Sequence, residues 1–129
     1  LGDQITHKGL NLLNGPGNDM VACTNLACAG AHVILFTTGR GTPFGTFVPT
    51  IKISTNTALS EKKANWIDFN AGKIVDGMSM DEVFTLFKDY IIKVINGEIK
   101  AKNEINDFQE LAIFKDGVTL WWLVLEHTI

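Results

Sequence analysis

The chain has 129 residues, 46% hydrophobic and 19% charged, which is typical of one globular domain and excludes a disordered segment. Its formal net charge of −3 and its isoelectric point near 5.5 argue against nucleic acid as a partner, because nucleic-acid-binding surfaces are normally strongly basic. The two cysteines, Cys23 and Cys28, form neither a CxxC motif nor a convincing disulfide, and two free thiols suit a reducing cytoplasm.

The first predicted elements are a helix and a strand. The helix runs from about residue 19 to residue 29, with Asn18 or Asp19 as its N-cap. The strand, residues 32–37, is a continuous apolar run of the kind that is buried on both faces, and His32 is expected to be a core histidine at its start. Residues 20–39 contain no Lys, Arg, Asp or Glu, a length that suits a membrane helix, but their polar residues and change of character favour a buried helix and strand, with no membrane partner.

A second strand is predicted at Thr50–Ser54, where Ile51 and Ile53 alternate with polar residues. A short helix follows at about residues 58–65, and a longer one begins at the capping box of Ser79 and Glu82. The core face of the longer helix is predicted to comprise Val83, Phe84, Phe87, Ile91, Val94 and Ile95.

Strands that alternate with helices indicate a single layered α/β domain, with a small, mostly parallel or mixed sheet flanked by helices. The connection between the first two strands has only about ten residues, which is short for a parallel crossover. Whether these two strands are parallel neighbours, an antiparallel pair or non-adjacent therefore stays open.

The residues that could carry chemistry lie at the ends of these two strands. Arg40 lies between Gly39 and Gly41, in a loop whose glycines allow close approach of a ligand, and its guanidinium suits a carboxylate. Lys52 lies either on the solvent face of a half-buried strand or in a site where desolvation would lower its pKa. The candidate substrate-binding set is Thr37, Thr38, Gly39, Gly41, Thr55, Asn56, Asn18 and Asp19.

Several of these residues have a simpler interpretation. Arg40 could be a surface arginine in a flexible loop, and Thr55 and Asn56 could be helix caps, although a capped helix N-terminus also binds anions. The same ambiguity holds for Asn18 and Asp19. No histidine pair has metal-ligand spacing, and no GxSxG, P-loop or GxGxxG motif is present. The residues alone therefore predict an anion-binding surface without a complete catalytic set.

Five segments resemble the C-terminal part of the altronate dehydratase and galactarate dehydratase family. They are GLNLLNGPGND (9–19), AGAHVILFTTGRGTPFG (29–45), VPTIKISTN (48–56), WIDFNAG (66–72) and ELAIFKDGVTL (110–120). The sequence TTGRGTPFG is similar to the altronate branch. The resemblance covers residues 1–120 as one C-terminal domain, and it leaves residues 121–129 as an apolar tail or extension.

The resemblance implies a longer sugar-acid dehydratase that depends on Fe²⁺ or Mn²⁺, with its metal ligands mostly outside this chain. Such an enzyme converts D-altronate to 2-keto-3-deoxy-D-gluconate in hexuronate catabolism, and its partners would be the hexonate substrate, the N-terminal remainder of the enzyme and a possible homo-oligomer. On this hypothesis Arg40 holds the carboxylate and Lys52 faces the developing charge or transfers a proton. The alternatives are a non-catalytic ligand-binding or oligomerisation domain, or a dehydratase of another hydroxy acid such as galactarate or a sulfonated acid.

Overall fold

A parallel three-stranded sheet forms the centre of the structure, a computed structural model that describes residues 3–113. The strands are β1 (Ile34–Thr38), β2 (Thr50–Ser54) and β3 (Phe69–Asn70), and they lie in the order β1-β2-β3. Residues 34 and 50 are partners in the first pair, and residues 53 and 69 in the second. The predicted α/β class is confirmed, and the first two strands are parallel neighbours.

Within residues 3–113, four α-helices and one 3-10 helix accompany the sheet. They are α1 (Asp19–Cys28), α2 (Thr57–Lys62), the 3-10 helix (Ala71–Ile74), α3 (Met80–Ile95) and α4 (Lys102–Ile105). The predicted capping box at the start of α3 is confirmed, since the Ser79 side chain accepts from the Glu82 amide and the Glu82 carboxylate accepts from the Ser79 amide. None of the helices in this described part is long and apolar enough to cross a membrane.

The connection between β1 and β2, here called loop 39–49, crosses one face of the sheet without forming a helix. Its Phe44 is buried in a cluster with Cys23, Ala27 and Ile34, and the Phe44 ring lies 6.0 Å from that of Phe36. One buried phenylalanine therefore covers the part of the sheet that a crossover helix normally covers. This is why a connection of about ten residues is long enough.

Helix α3 packs on the opposite face of the sheet. Ile51 and Ile53 meet Val94 there, and the ring of Phe87 lies 4.9 Å from that of Phe69. The predicted face of this helix was wrong at two positions, because Phe84 is 59% exposed and Ile95 is 61% exposed. A sheet of three short strands contacts only a narrow stripe of a 16-residue helix, so residues on the flank of the stripe stay outside the core.

Two predictions about β1 were also wrong. The strand is not buried on both faces, since Leu35 is 50% exposed at the edge of the sheet, beyond the cover of α3. His32 is exposed and precedes the strand, so it is not a core histidine.

Both cysteines are free, with Cys23 buried and Cys28 exposed. The predicted apolar tail, residues 121–129, lies outside the described residues.

Candidate functional site

The carboxyl ends of β1 and β2 lie side by side and are joined by polar contacts. The Thr55 amide donates to the Thr38 carbonyl at 3.1 Å, and the Asn56 Nδ2 donates to the Gly39 carbonyl at 3.2 Å. Asn56 also caps α2, because its Oδ1 accepts from the Leu59 amide at 2.8 Å. In open α/β sheets this edge, outside the carboxyl ends of the strands, is where ligands bind.

Arg40 projects from this edge on a backbone that is held on both sides. The residue before it is bound by Asn56, and the Gly41 amide after it donates to the Thr38 Oγ1 at 2.9 Å. Gly41 has a φ of +80°, and a Cβ there would lie 2.9 Å from the Leu59 Cδ1, so glycine is required for this turn.

The Arg40 side chain itself is exposed, and within residues 3–113 its guanidinium makes no hydrogen bond or ion pair. It is the only arginine in the sequence. A fixed backbone that carries an exposed guanidinium beside hydroxyl and amide groups is chemically suited to bind the carboxylate of a hydroxylated acid.

Lys52 does not lie on a solvent face, and that interpretation of the sequence was wrong. Its side chain is 0% exposed, because Ile51 and Ile53 face α3 while Lys52 faces loop 39–49. The Lys52 Nζ donates to the Thr42 carbonyl at 3.2 Å and lies 5.6 Å from the centre of the Phe108 ring. Burial lowers the pKa of Lys52, and the negative charges of two nearby carboxyl groups partly oppose this shift.

One of these carboxyl groups, Asp68, was not singled out from the sequence because no second carboxylate lies at an informative spacing. In the structure it accepts from the Lys52 amide at 2.8 Å, from the Lys102 amide at 2.7 Å and from the Tyr90 hydroxyl at 3.1 Å. Burial raises the pKa of Asp68, and these hydrogen bonds oppose the rise. These contacts link β2, α3 and α4, so Asp68 has a structural role.

A second group of polar side chains, also missed from the sequence, continues the same edge of the sheet. The Asn70 Nδ2 donates to the Thr57 Oγ1 at 2.9 Å, and the Thr57 hydroxyl donates to the Asp76 carboxylate. Gly72 allows this arrangement, because a Cβ there would overlap the backbone of Asn56 and Thr57. The group borders a cavity of about 580 Å³, lined by Thr57, Glu61, Asn70, Lys73, Asp76, Met78 and Glu82.

The remaining predicted residues are placed as follows. The Asn18 Oδ1 accepts from the Val21 amide at 3.2 Å and caps α1, while Asp19 is the first residue of that helix. Thr37 and Thr38 are successive residues of β1 and therefore point to opposite faces of the sheet. The binding roles of these residues stay predictions.

A metal site is not formed by the described part of the chain. Among residues 3–113 no group of three or more His, Cys, Asp or Glu side chains is arranged to hold an ion. The residues present therefore do not fit an Fe²⁺ or Mn²⁺ centre on their own.

Fold and site together define a small α/β domain whose parallel strand ends carry hydroxyls, amides and one exposed arginine. Residues 1–119 match the family described as D-galactarate/Altronate dehydratase, C-terminal. The chain belongs to this family, and it corresponds to the C-terminal part of its members.

Three curated relatives give the comparison more detail. The chain is 55% identical over 119 residues to the altronate dehydratase of Escherichia coli (strain K12), an alignment that covers 92% of this chain and 24% of the relative. It is 55% identical over 120 residues to the altronate dehydratase of Bacillus subtilis (strain 168), with the same two coverages. It is 35% identical over 116 residues to the galactarate dehydratase (L-threo-forming) of Escherichia coli (strain K12), with coverages of 88% and 22%. The chain spans about a quarter of the length of the curated relatives it matches.

Proposed function

We propose that this chain is the C-terminal part of a hydro-lyase that dehydrates D-altronate to 2-keto-3-deoxy-D-gluconate in hexuronate catabolism. The family assignment supports a dehydratase. The identity of 55% with two altronate dehydratases, against 35% with a galactarate dehydratase, favours altronate as the substrate.

The observation that carries the proposal is the exposed Arg40 on its fixed backbone at the strand ends. Dehydration of a sugar acid removes the proton next to the carboxylate, so negative charge spreads onto the carboxylate oxygens in the transition state. A guanidinium that forms two hydrogen bonds with the carboxylate both orients the acid and stabilises this charge. We assign this role to Arg40.

The hydroxyl groups of the substrate are assigned to the polar residues of the same edge. Thr38, Thr55 and Asn56 are held together by hydrogen bonds between the ends of β1 and β2, so their positions relative to Arg40 are fixed by the sheet. The backbone of Gly39 and Gly41 borders the same place, and the absence of side chains there lets Thr55 and Leu59 pack against this turn.

Lys52 was predicted to take part directly, by stabilising charge or transferring a proton. Its ammonium is fully buried beneath loop 39–49 and donates to a backbone carbonyl, which favours an indirect role. Proton transfer at the substrate is therefore assigned to none of the described residues.

The proposal also includes an Fe²⁺ or Mn²⁺ ion and a possible homo-oligomer, which rest on the family resemblance, and a cytoplasmic location, which rests on the two free thiols. We expect the metal ligands to lie mostly outside this chain, as the resemblance implies; among residues 3–113 no group of three or more His, Cys, Asp or Glu side chains could hold an ion. Since the chain covers 24% of its altronate dehydratase relatives, we expect the isolated chain to be inactive without the remainder of the enzyme.

The test is a dehydration assay on the full-length enzyme, supplied anaerobically with ferrous or manganous ion and given altronate, galactarate or related acids. Formation of a 2-keto-3-deoxy acid from altronate is the expected result. Turnover of another acid alone would change the substrate but retain the reaction, and no turnover of any acid would favour a non-catalytic binding or oligomerisation domain.

The role of Arg40 is tested in the same assay. Arg40→Ala should lower kcat/KM for altronate by about 10²-fold, because it removes charge-assisted hydrogen bonds worth about 3 kcal/mol. Arg40→Lys should restore only part of this loss, since an ammonium cannot bind both carboxylate oxygens in the same geometry. The matched control is Lys88→Met, which removes an exposed cation of α3. Equal kcat/KM values for the native enzyme and Arg40→Ala would refute the assignment.

A further inference from the structure

Lys52 has an unusual position for its residue type. It lies at the centre of the middle strand, opposite Phe36 of β1, and its side chain is 0% exposed. Lysine is almost never fully buried unless its ammonium is paired, because transfer of the charge out of water is costly. A methionine or leucine would fill a similar volume without this cost. The contacts of the ammonium therefore indicate the role of Lys52.

Those contacts belong to the structure that covers the sheet rather than to the sheet edge. The Nζ donates to the Thr42 carbonyl of loop 39–49 and faces the ring of Phe108. The segment that follows Phe108 is tied to the same loop, since the Glu110 amide donates to the Gly45 carbonyl at 2.8 Å. The ammonium is therefore enclosed between the sheet and two covering segments.

Thr42 is separated from Arg40 by a single residue. The backbone of Arg40 is held on both sides, by the Asn56 bond to the Gly39 carbonyl and by the Gly41 amide bond to Thr38. On the downstream side, the Lys52 bond to the Thr42 carbonyl is the next attachment of the loop to the sheet. A charge-assisted hydrogen bond is stronger than a neutral one, and this bond is the attachment of the loop that lies between Gly41 and the buried Phe44.

We propose that Lys52 is a positioning residue that fixes loop 39–49 through the Thr42 carbonyl and thereby places the Arg40 guanidinium at the strand ends. The role of the loop attachment stands on the contacts alone, while its effect on turnover rests on the proposed function of Arg40. Lys52 is then required for catalysis without contact with the substrate.

The first experiment follows the loop itself in the full-length enzyme. Within the 129 residues Arg40 is the only arginine, and the tryptic sites next to it are Lys8 and the buried Lys52, so a new amino terminus at Gly41 reports on loop 39–49. Under native conditions Lys52→Met should accelerate the appearance of the new amino terminus at Gly41, measured by mass spectrometry, at least about tenfold. Lys88→Met should leave the rate unchanged. An unchanged rate in Lys52→Met would overturn the proposal.

The second experiment is a double-mutant cycle on dehydration of altronate with Arg40→Ala and Lys52→Met. If Lys52 acts through Arg40, Lys52→Met lowers kcat/KM mainly through KM in the native background, and it adds little when Arg40 is already absent. A loss in kcat that is equally large in both backgrounds would instead identify a direct chemical role, and would overturn the proposal. If Arg40→Ala has no effect on turnover, the proposed role of Arg40 fails, while the cleavage result still decides the loop attachment.

Lys52→Arg separates positioning of the loop from proton transfer, because it keeps the buried positive charge. A guanidinium can still donate to the Thr42 carbonyl, so both the slow cleavage after Arg40 and most of the activity should be retained. A guanidinium stays protonated at all relevant pH values and cannot exchange a proton with the substrate. Slow cleavage combined with activity as low as that of Lys52→Met would therefore overturn the positioning role. This variant also serves if Lys52→Met does not fold.

Discussion

The amide of Asn103 joins α4 to the start of β2 and to loop 39–49. Its Oδ1 accepts from the Thr50 amide at 2.8 Å, while its Nδ2 donates to the Thr46 carbonyl at 3.1 Å and to the Val48 carbonyl at 3.3 Å. Asn103 is almost fully buried, as are Thr46 and Thr50. Replacement of Asn103 by alanine should therefore show how much these buried hydrogen bonds contribute to the free energy of unfolding.

The expected loss in Asn103→Ala follows from the groups left without partners. The Val48 carbonyl also accepts from the hydroxyls of Thr46 and Thr50, so it stays satisfied. The Thr50 amide and the Thr46 carbonyl lose their hydrogen bonds to Asn103, and each unsatisfied buried group costs about 1–3 kcal/mol. The total of about 2–6 kcal/mol is a large fraction of the stability of a typical domain.

Hydrogen–deuterium exchange in the full-length enzyme measures this loss locally. The amides of Thr46, Phe47, Val48 and Thr50 should exchange at least about 30-fold faster in Asn103→Ala, since about 1.4 kcal/mol corresponds to a tenfold change. The control is Asn106→Ala, which removes an exposed amide that donates to the Asn65 and Lys102 carbonyls and should change exchange at residues 46–50 by less than about threefold. Equal exchange in the two variants would refute the reasoning.

Three further predictions concern the rest of the scaffold. Gly72→Ala should lower the free energy of unfolding in urea by about 1–3 kcal/mol, because the new Cβ overlaps backbone atoms. In the control Gly17→Ala the new Cβ meets nothing within 4 Å, so the change should be less than about 0.5 kcal/mol. Equal unfolding midpoints in the two variants would contradict this. Hydrogen bonds from Ser79 hold the pKa of Glu82 below its ordinary 4.5, so the stabilisation is present above pH 4.5 and is lost as the pH falls through the folded pKa. Ser79→Ala should cost about 1 kcal/mol near pH 7 and flatten the decrease of Tm towards pH 3, and a parallel decrease would argue against the cap. Asp68→Asn should reduce stability at neutral pH by about 1.5–3 kcal/mol, since an amide cannot accept all three hydrogen bonds. Because burial raises the pKa of Asp68, its ionisation destabilises the folded state as the pH rises through that pKa, and thermal melts of Asp68→Asn should lack this component.

The elements that the sequence predicted well are those with strong local signals. The second strand was predicted at Thr50–Ser54 and has these bounds, because turn residues and β-branched side chains both mark its limits. The start of α3 was predicted from its capping box, which depends only on residues three positions apart. The parallel pairing of β1 and β2 was left open because it depends on Phe44, whose burial against α1 is a tertiary contact that no local pattern reveals.

The parts of the candidate site that depend on local signals could also be read from the sequence. Gly39 and Asn56 lie together because they follow two neighbouring parallel strands, and strand ends can be read from the sequence. The burial of Lys52 was missed because alternation of apolar and polar residues normally marks a strand with one face in water, and here loop 39–49 covers the second face. Thr57 and Asn70 were missed because their contact depends on the close approach of backbones that Gly72 permits.

The register of the sheet has a consequence for how the domain folds. Partners lie sixteen residues apart in both strand pairs, since residue 34 pairs with 50 and residue 53 pairs with 69. Spatial order also follows chain order. The entropy of loop closure grows only slowly with length, but parallel sheets usually require distant segments to meet, which makes them slow to form. Here each strand needs only the segment synthesised just before it, so the sheet can grow from β1 to β3 as the chain emerges from the ribosome.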